Sequence, residues 1–453
     1  MKVVVIDPRR TATCDLADMH LALAPGSDVA LFNRLLVEID KSGAVDVDYL
    51  RHVNGFDETL RAAMAQEGGV TGLDPAQVAA FCKMWVGTEK VVTVFSQGVN
   101  QSSSGTDKVN AILNCHIATG RIGRPGMGPF SVTGQPNAMG GREVGGLSNA
   151  LACHLDIEDA GHRDLVRSFW QAPTMAKGAG LKAVDLFERV RTRQIKALWI
   201  VCTNPAVSMP DADVVRDAIA ACDFVVVSDV TANTDTARLA HVLLPATGWG
   251  EKDGTVTNSD RTISRQRAVL PAPGAARADW AIICDVARRM GFGAAFDYAS
   301  PAEIFEEYAT LSGLAAAVGR DFDISGLTGL GQAGYDALPP TRWPVAPQGQ
   351  TERFFADGEF FTSDGRARMV PVTARPPAAR TGPRYPFRLN TGRIRDQWHT
   401  MTRTAKAPRL NQHLGEPFLE IHPHDATALG IAPATLVRVT SPTGTCILRA
   451  LVT

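Results

Sequence analysis

The sequence predicts an α/β fold with parallel sheets, followed by the start of a small β-barrel. Two observations carry this. Up to about Gly334, short strands that are apolar throughout alternate with helix patterns, which is how parallel sheets covered on both faces read. Beyond Pro383 the strands are short and separated by turns, as at the start of a barrel. The length, 453 residues, fits two to four domains.

The elements follow in order. Lys2 to Ile6 is an apolar run of strand type ended by Asp7-Pro8. Pro25-Gly26-Ser27-Asp28 opens a helix with Ser27 or Asp28 as cap, and Val29, Leu31, Phe32, Leu35, Leu36 and Ile39 follow at helical spacing. Val91 to Phe95 is a second strand, and a helix from about Thr106 to Ala118 comes next. Nine glycines then fall between Gly120 and Gly146, too dense for regular structure and too mixed with Ile, Met and Phe for a linker. Such a stretch predicts backbone packed closely around something. The grammar repeats with strands Ala197 to Val201, Phe224 to Val227 and Val242 to Pro245. Helices Asp211 to Ala220 and Asp279 to Met290 each open with an aspartate. Between Gly334 and Pro383 the composition shifts to Pro, Gly, Gln, Arg and Phe, read as a linker with a hairpin at Phe354 to Met369. Phe387 to Asn390, Phe418 to Ile421, Leu436 to Val439 and Cys446 to Val452 are the strands of an unfinished barrel.

Composition excludes several classes. With 46 basic against 47 acidic residues the chain lacks the basic excess of a nucleic-acid binder. No apolar run is long enough to span a bilayer or to serve as a signal-peptide core, so the chain reads as soluble and cytoplasmic, without nucleic-acid or membrane partners. Cysteines 14, 82, 115, 153, 202, 222, 284 and 446 contain no CxxC pair, which argues for buried reduced thiols rather than a metal or iron–sulfur site within this chain.

In open α/β sheets, ligands sit beyond the carboxyl ends of the strands. Those ends carry Asp7-Pro8-Arg9-Arg10-Thr11, Gln97 to Gln101, Thr203-Asn204 and Ser228-Asp229. Asn, Gln and Asp match the donor and acceptor edges of a purine, while hydroxyls and backbone amides suit phosphates. Any one of these could be an ordinary strand-end turn; four together favour a nucleotide-containing ligand. Neither GxGxxG nor GxxxxGK[ST] occurs, so neither an ordinary NAD site nor a P-loop is supported. Two polar loops stand apart, Thr133 to Glu143 and Thr391 to Thr400, the second gathering Arg, Gln, Trp, His and Thr directly after a strand.

Several segments, in this order, resemble the molybdopterin oxidoreductases of the dimethyl sulfoxide reductase family. They are Val5-Ile6-Asp7-Pro8-Arg9-Arg10-Thr11, Leu16-Ala17-Asp18-Met19-His20, Pro25-Gly26-Ser27-Asp28, Gly120-Arg121-Ile122-Gly123-Arg124-Pro125-Gly126, and Gly134-Gln135-Pro136-Asn137-Ala138-Met139-Gly140-Gly141. His241 to Pro245, Trp249-Gly250-Glu251-Lys252-Asp253-Gly254 and Thr391 to Thr400 follow. Within the family the likeness is strongest to the catalytic subunits of assimilatory nitrate reductases.

The resemblance implies two Rossmann-like parallel-sheet domains at 1–135 and 136–335, a linker with a hairpin at 336–382, and a truncated dinucleotide-binding barrel at 383–453. It implies molybdenum held by two molybdopterin guanine dinucleotides. By that likeness, cofactor contacts fall to Asp7, Arg9, Thr11, Gly26, Ser27, Asp28, Gln97, Gln101, Asn204, Ser228, Asp229, Lys252 and Asp279, with Thr391, Gly392, Arg393, Gln397, Trp398, His399 and Thr400 at a pterin. Gln135, Met139 and Arg142 would line the approach to the metal, Arg142 guiding an anion. The implied reaction is oxygen-atom transfer from nitrate, releasing nitrite, with ferredoxin, flavodoxin or an NADH-linked reductase subunit as electron donor. A formate dehydrogenase or another oxidoreductase of the family is the alternative reaction, and a cofactor-free scaffold relative the alternative class.

One departure matters. The family's cysteine-rich iron–sulfur segment and the loop bearing the molybdenum ligand precede the Asp7-Pro8-Arg9-Arg10 strand, and neither lies within this sequence. The expectation is an internal piece of a larger enzyme, with the 4Fe-4S cluster in the missing N-terminal segment and no competence as a reductase on its own.

Overall fold

The computed structural model describes residues 1–66, 70–350 and 353–453. The chain forms two compact units, each assembled from separate stretches. Met1–Lys177, Thr255–Arg265 and Ser300–Arg380 make the first; Gly178–Gly254, Gln266–Ala299 and Thr381–Thr453 make the second.

In the first unit, Val4–Ile6 pairs in parallel with Met19–Leu21, and Val92–Phe95 with Gly128–Ser131. The Gly105–Ala118 helix makes the crossover of the second pair, as a parallel connection requires. The helical spacing of apolar residues in Asp28–Lys41 buries Leu31, Leu35, Leu36 and Ile39 completely. They pack with Ala111, Ile112 and Cys115 of the Gly105–Ala118 helix and with Phe81 and Trp85 of Pro75–Val86. A second core in this unit gathers Cys153, Leu155, Phe305, Leu311, Phe322, Ile324 and Trp343.

In the second unit, Ala197–Val201, Phe224–Asp229 and Val242–Pro245 form one parallel sheet in chain order. Helices Ala183–Arg191 and Ala212–Ala220 cover one face, through Phe187, Val190, Val215 and Ile219 against Leu198, Ile200, Val225 and Val227.

Several expectations are corrected. The strands are not buried on both faces: Trp199 is 38% and Phe224 47% exposed, because helices of this unit cover only the opposite side. The unfinished barrel expected beyond Pro383 is not confirmed as a barrel, since no closed sheet forms among the described residues. Phe418–Ile421 pairs in parallel, and Leu436–Thr440 antiparallel, with Thr445–Val452, giving an open three-stranded sheet. Phe387 to Asn390 is irregular and Leu389 is exposed; apolar residues make no strand where the backbone finds no ladder. Phe354 to Met369 is not a hairpin. Its phenylalanines stack, Phe355 on Phe360 at 4.6 Å, and Ala367–Arg368 pairs in parallel with Val53–Asn54. The hairpin of this region is Val345–Ala346 with Gly349–Gln350. Ser27 takes the cap position, but its hydroxyl donates to the Ala24 carbonyl at 2.7 Å instead of capping the helix. Of the eight thiols six are buried, while Cys202 and Cys446 are exposed.

Among the described residues, no helix is long and apolar enough to cross a membrane.

Leu35 sits at the centre of the first core with no solvent exposure. Leu35→Ala is expected to lower the unfolding free energy by about 3 kcal/mol, read from denaturant melts by circular dichroism.

Candidate functional site

The second unit brings most of its predicted residues to one edge. Parallel pairing sets Val201 beside Ser228 and Asp229 beside Pro245, so the three strands end together. Just past the first, Asn204 is buried and fully engaged. Its Oδ1 accepts from the Thr236 hydroxyl at 2.7 Å, and its Nδ2 donates to Thr400 Oγ1 at 3.0 Å. That bond fixes one point of the Thr391 to Thr400 loop at the strand ends. His399, Thr400 and Met401 all take left-handed backbone there.

At the second strand, Ser228 Oγ is buried and accepts from Trp199 Nε1 at 2.9 Å. Asp229 Oδ1 accepts from the Val230 N–H at 2.7 Å. Burial pushes the Asp229 carboxyl up, opposed by backbone N–H groups of Val230 and Thr231 and by Arg403 and Lys406. Lys252 Nζ lies 3.1 Å from Asp279 Oδ2, while Asp279 Oδ1 is buried without a hydrogen-bond partner among the described residues. A carboxylate oxygen left dry and unpaired is costly and fits a missing donor. Cys202 feels the same charges: although the residue is exposed, partial enclosure of its thiol, then Asp279, raises the thiol pKa.

The loop after the predicted barrel strand holds itself. Gln397 Oε1 accepts from Thr404 Oγ1 at 2.7 Å, and Gln397 Nε2 donates to Asn411 Oδ1 at 2.6 Å. Trp398 meets His399 edge to face. Burial, then Arg403 and Arg393, lowers the His399 pKa. Thr391, Gly392 and Arg393 are exposed in irregular chain.

The first unit carries the remaining predicted residues. Asp7 Oδ1 accepts from the Arg9 N–H at 2.8 Å, shaping the turn past the first strand, and Thr11 Oγ1 lies 3.7 Å from Cys14 Sγ. Gly26 has φ +89°, and a Cβ there would stand 2.8 Å from Pro377 Cγ, so only glycine fits. Asp28 is paired with Lys108 at 2.7 Å, and Lys108 Nζ also lies 3.5 Å from the Gly98 carbonyl. Gln97 Nε2 donates to Gln135 Oε1 at 3.2 Å, joining a predicted cofactor residue to a predicted substrate residue. Gln101 and Arg142 are exposed; Met139 packs against the second core.

Sequence reading missed two residues. Lys108 is 4% exposed within a helix face that reads apolar, and a lone charge on such a face was the available signal. Glu143 is 1% exposed at the end of a polar run, where nothing marked it as buried.

In the second unit, polar residues past the ends of a parallel sheet lie near a basic group paired with a partly unsatisfied carboxylate. The chain belongs to the molybdopterin oxidoreductase family. The family model described as "Molybdopterin oxidoreductase" matches residues 1–289, and that described as "Molydopterin dinucleotide binding domain" matches residues 387–453. A nitrate reductase of Klebsiella oxytoca is 50% identical, covering 99% of this chain and 51% of its own length. The F420-dependent formate dehydrogenase subunit alpha of Methanocaldococcus jannaschii is 32% identical, covering 100% of this chain and 65% of its own. The chain thus spans about half the length of the nitrate reductase it matches. Among solved structures, acetylene hydratase from Pelobacter acetylenicus shares the fold with a TM-score of 0.69 at 17% identity, covering 100% of this chain and 65% of that one.

Lys108 and Asp28 neutralise one another out of water. Removing one partner of such a pair strands the other, so Lys108→Met is expected to cost about 3 kcal/mol. Adding Asp28→Asn should recover more than half of the loss, both read from denaturant melts by circular dichroism.

Proposed function

We propose that this chain holds molybdenum bis(molybdopterin guanine dinucleotide) and serves the reduction of nitrate to nitrite. What carries the cofactor reading is the buried, unpaired Asp279 Oδ1 beside Lys252, at the edge where Asn204 and Asp229 also lie. The donor set suits a guanine dinucleotide. Asp229 and Asp279 accept guanine N–H donors, and Lys252 with Arg403 and Lys406 offsets diphosphate charge. Ser228 stiffens the strand end through Trp199, and Asn204 holds Thr400 so that Gln397, Trp398 and His399 face a pterin, with Thr391, Gly392 and Arg393 leading in. In the first unit, Asp7, Arg9, Thr11, Gly26, Ser27, Asp28, Gln97 and Gln101 serve the other dinucleotide.

When bound, the molybdenum group supplies the two-electron oxygen-atom chemistry. The chain's own contribution is position and charge. Arg142, exposed on the Ala138–Glu143 helix, draws an anion inward, and Gln135 and Met139 line its path. Ferredoxin, flavodoxin or an NADH-linked reductase subunit provides the electrons, in the cytoplasm. Nitrate is favoured because the nitrate reductase relative is 50% identical against 32% for the formate dehydrogenase.

The test is to purify the protein from a host that makes the cofactor, then measure bound molybdenum and the GMP released by acid hydrolysis. Both are expected, and Asp229→Ala or Asp279→Ala should lower both together. A folded preparation with neither would favour a cofactor-free scaffold. Placed in cofactor-loaded enzyme that also carries the iron–sulfur and metal-ligand segments, Arg142→Gln should raise the KM for nitrate about tenfold, the loss of one charged contact worth ~1.4 kcal/mol. Turnover of formate in place of nitrate would move the chain to the dehydrogenase reading.

A further inference from the structure

Glu143 closes the short Ala138–Glu143 helix, whose other side chains include Met139 and the exposed Arg142. It faces inward, and its carboxylate accepts three side-chain donors from three separate parts of the first unit. Trp343 Nε1 donates at 2.7 Å, Thr257 Oγ1 at 2.7 Å and the Tyr308 hydroxyl at 3.1 Å. Burial pushes its pKa up, and the three donors oppose that.

An acid in an aromatic core is an expensive way to fill space; a residue such as Leu would occupy it without the desolvation penalty. What the carboxylate adds is direction. Three donors converging on two oxygens leave little freedom to turn the helix about its axis. A second tie acts at the other end. Thr257, which donates its hydroxyl to Glu143, also donates its backbone N–H to Asn137 Oδ1 at 2.8 Å. Asn137 takes left-handed backbone at φ 59°, and a Cβ on Gly140 would overlap its Oδ1. Both ends of the helix are therefore pinned to Thr257, while the face bearing Arg142 is left open.

We infer that Glu143 is a positioning residue, holding the Ala138–Glu143 helix in the rotation that presents Arg142 to the incoming anion. The inference rests on the proposed role of Arg142. It requires that loosening Glu143 act on substrate capture through Arg142 and leave the later chemistry alone.

Two independent readouts test it. In the intact protein, hydrogen–deuterium exchange of the amides from Ala138 to Gly146 is expected to rise at least about tenfold in Glu143→Gln, because local opening sets the exchange rate. The Gln oxygen can keep the Trp343 bond, but its amide nitrogen then meets Thr257 and Tyr308, whose hydroxyls must turn to accept, so three bonds to a carboxylate become weaker neutral ones. In the same cofactor-loaded enzyme carrying the iron–sulfur and metal-ligand segments, this variant is expected to raise the KM for nitrate about tenfold with kcat within about twofold. Combined with Arg142→Gln it should add nothing further, as for residues acting through one another. If Glu143→Gln does not fold, Trp343→Phe and Tyr308→Phe, each removing one donor, should move both readouts the same way by less. Unchanged exchange overturns the inference. So does faster exchange with an unchanged KM when Arg142→Gln alone raises it, or an equal fall in kcat. If Arg142→Gln itself leaves the KM unchanged, the role proposed for Arg142 fails and the link to substrate falls with it, while exchange still decides whether Glu143 holds the helix.

Discussion

Parallel strand pairing is the constraint on which the second unit depends. Strands that run the same way end on the same edge, and each must be returned by a crossover that covers one face of the sheet. With Ala197–Val201, Phe224–Asp229 and Val242–Pro245 in register, the polar residues after each strand are brought together although they lie far apart in sequence. Asn204, Asp229 and the Lys252–Asp279 pair are neighbours for that reason, and the charged groups there perturb one another through partly dry surroundings. The Thr391 to Thr400 loop reaches the same edge through the Asn204–Thr400 hydrogen bond.

The first unit relies on buried charge as much as on apolar packing. Its helices are joined by an ordinary core around Leu31, Leu35 and Ile112, which needs no polar groups. Yet Lys108 with Asp28 ties the start of the Asp28–Lys41 helix to the turn after Val92–Phe95, and Glu143 gathers Thr257, Tyr308 and Trp343. Packing tolerates small rotations and slides, whereas a buried ion with fixed donors does not. His116 shows the contrast. It is fully buried and held neutral, its pKa pushed down to about 3 by burial and then by Arg121, with Nε2 bonded to Thr93 Oγ1. That bond ties the Gly105–Ala118 helix to the Val92–Phe95 strand inside the core.

Much of this was legible in the residues themselves. Helical spacing from Val29 to Ile39, the apolar run Phe224 to Val227 and the polar pair that follows it are local patterns, set by neighbours in the chain. The Phe387 to Asn390 strand and the Phe354 to Met369 hairpin misled because β-structure depends on a partner chosen elsewhere. The first found none, and the second exchanged its own partner for Val53–Asn54. At the C-terminal end Phe418–Ile421, Leu436–Thr440 and Thr445–Val452 were legible as strands, but short apolar strands do not decide whether a sheet closes.

By itself the sequence determined the class of fold, the strand ends at which a ligand could sit and the ordered motifs of the family, because periodicity, turn chemistry and glycine placement act over a few residues. Only tertiary structure decided that Asn204 holds Thr400, that Lys108 neutralises Asp28, and that Glu143 turns inward while Arg142 stays out. Those outcomes depend on groups between about one hundred and two hundred residues away for Asn204 and Glu143, and on which polar atoms lose their water when distant segments close over them.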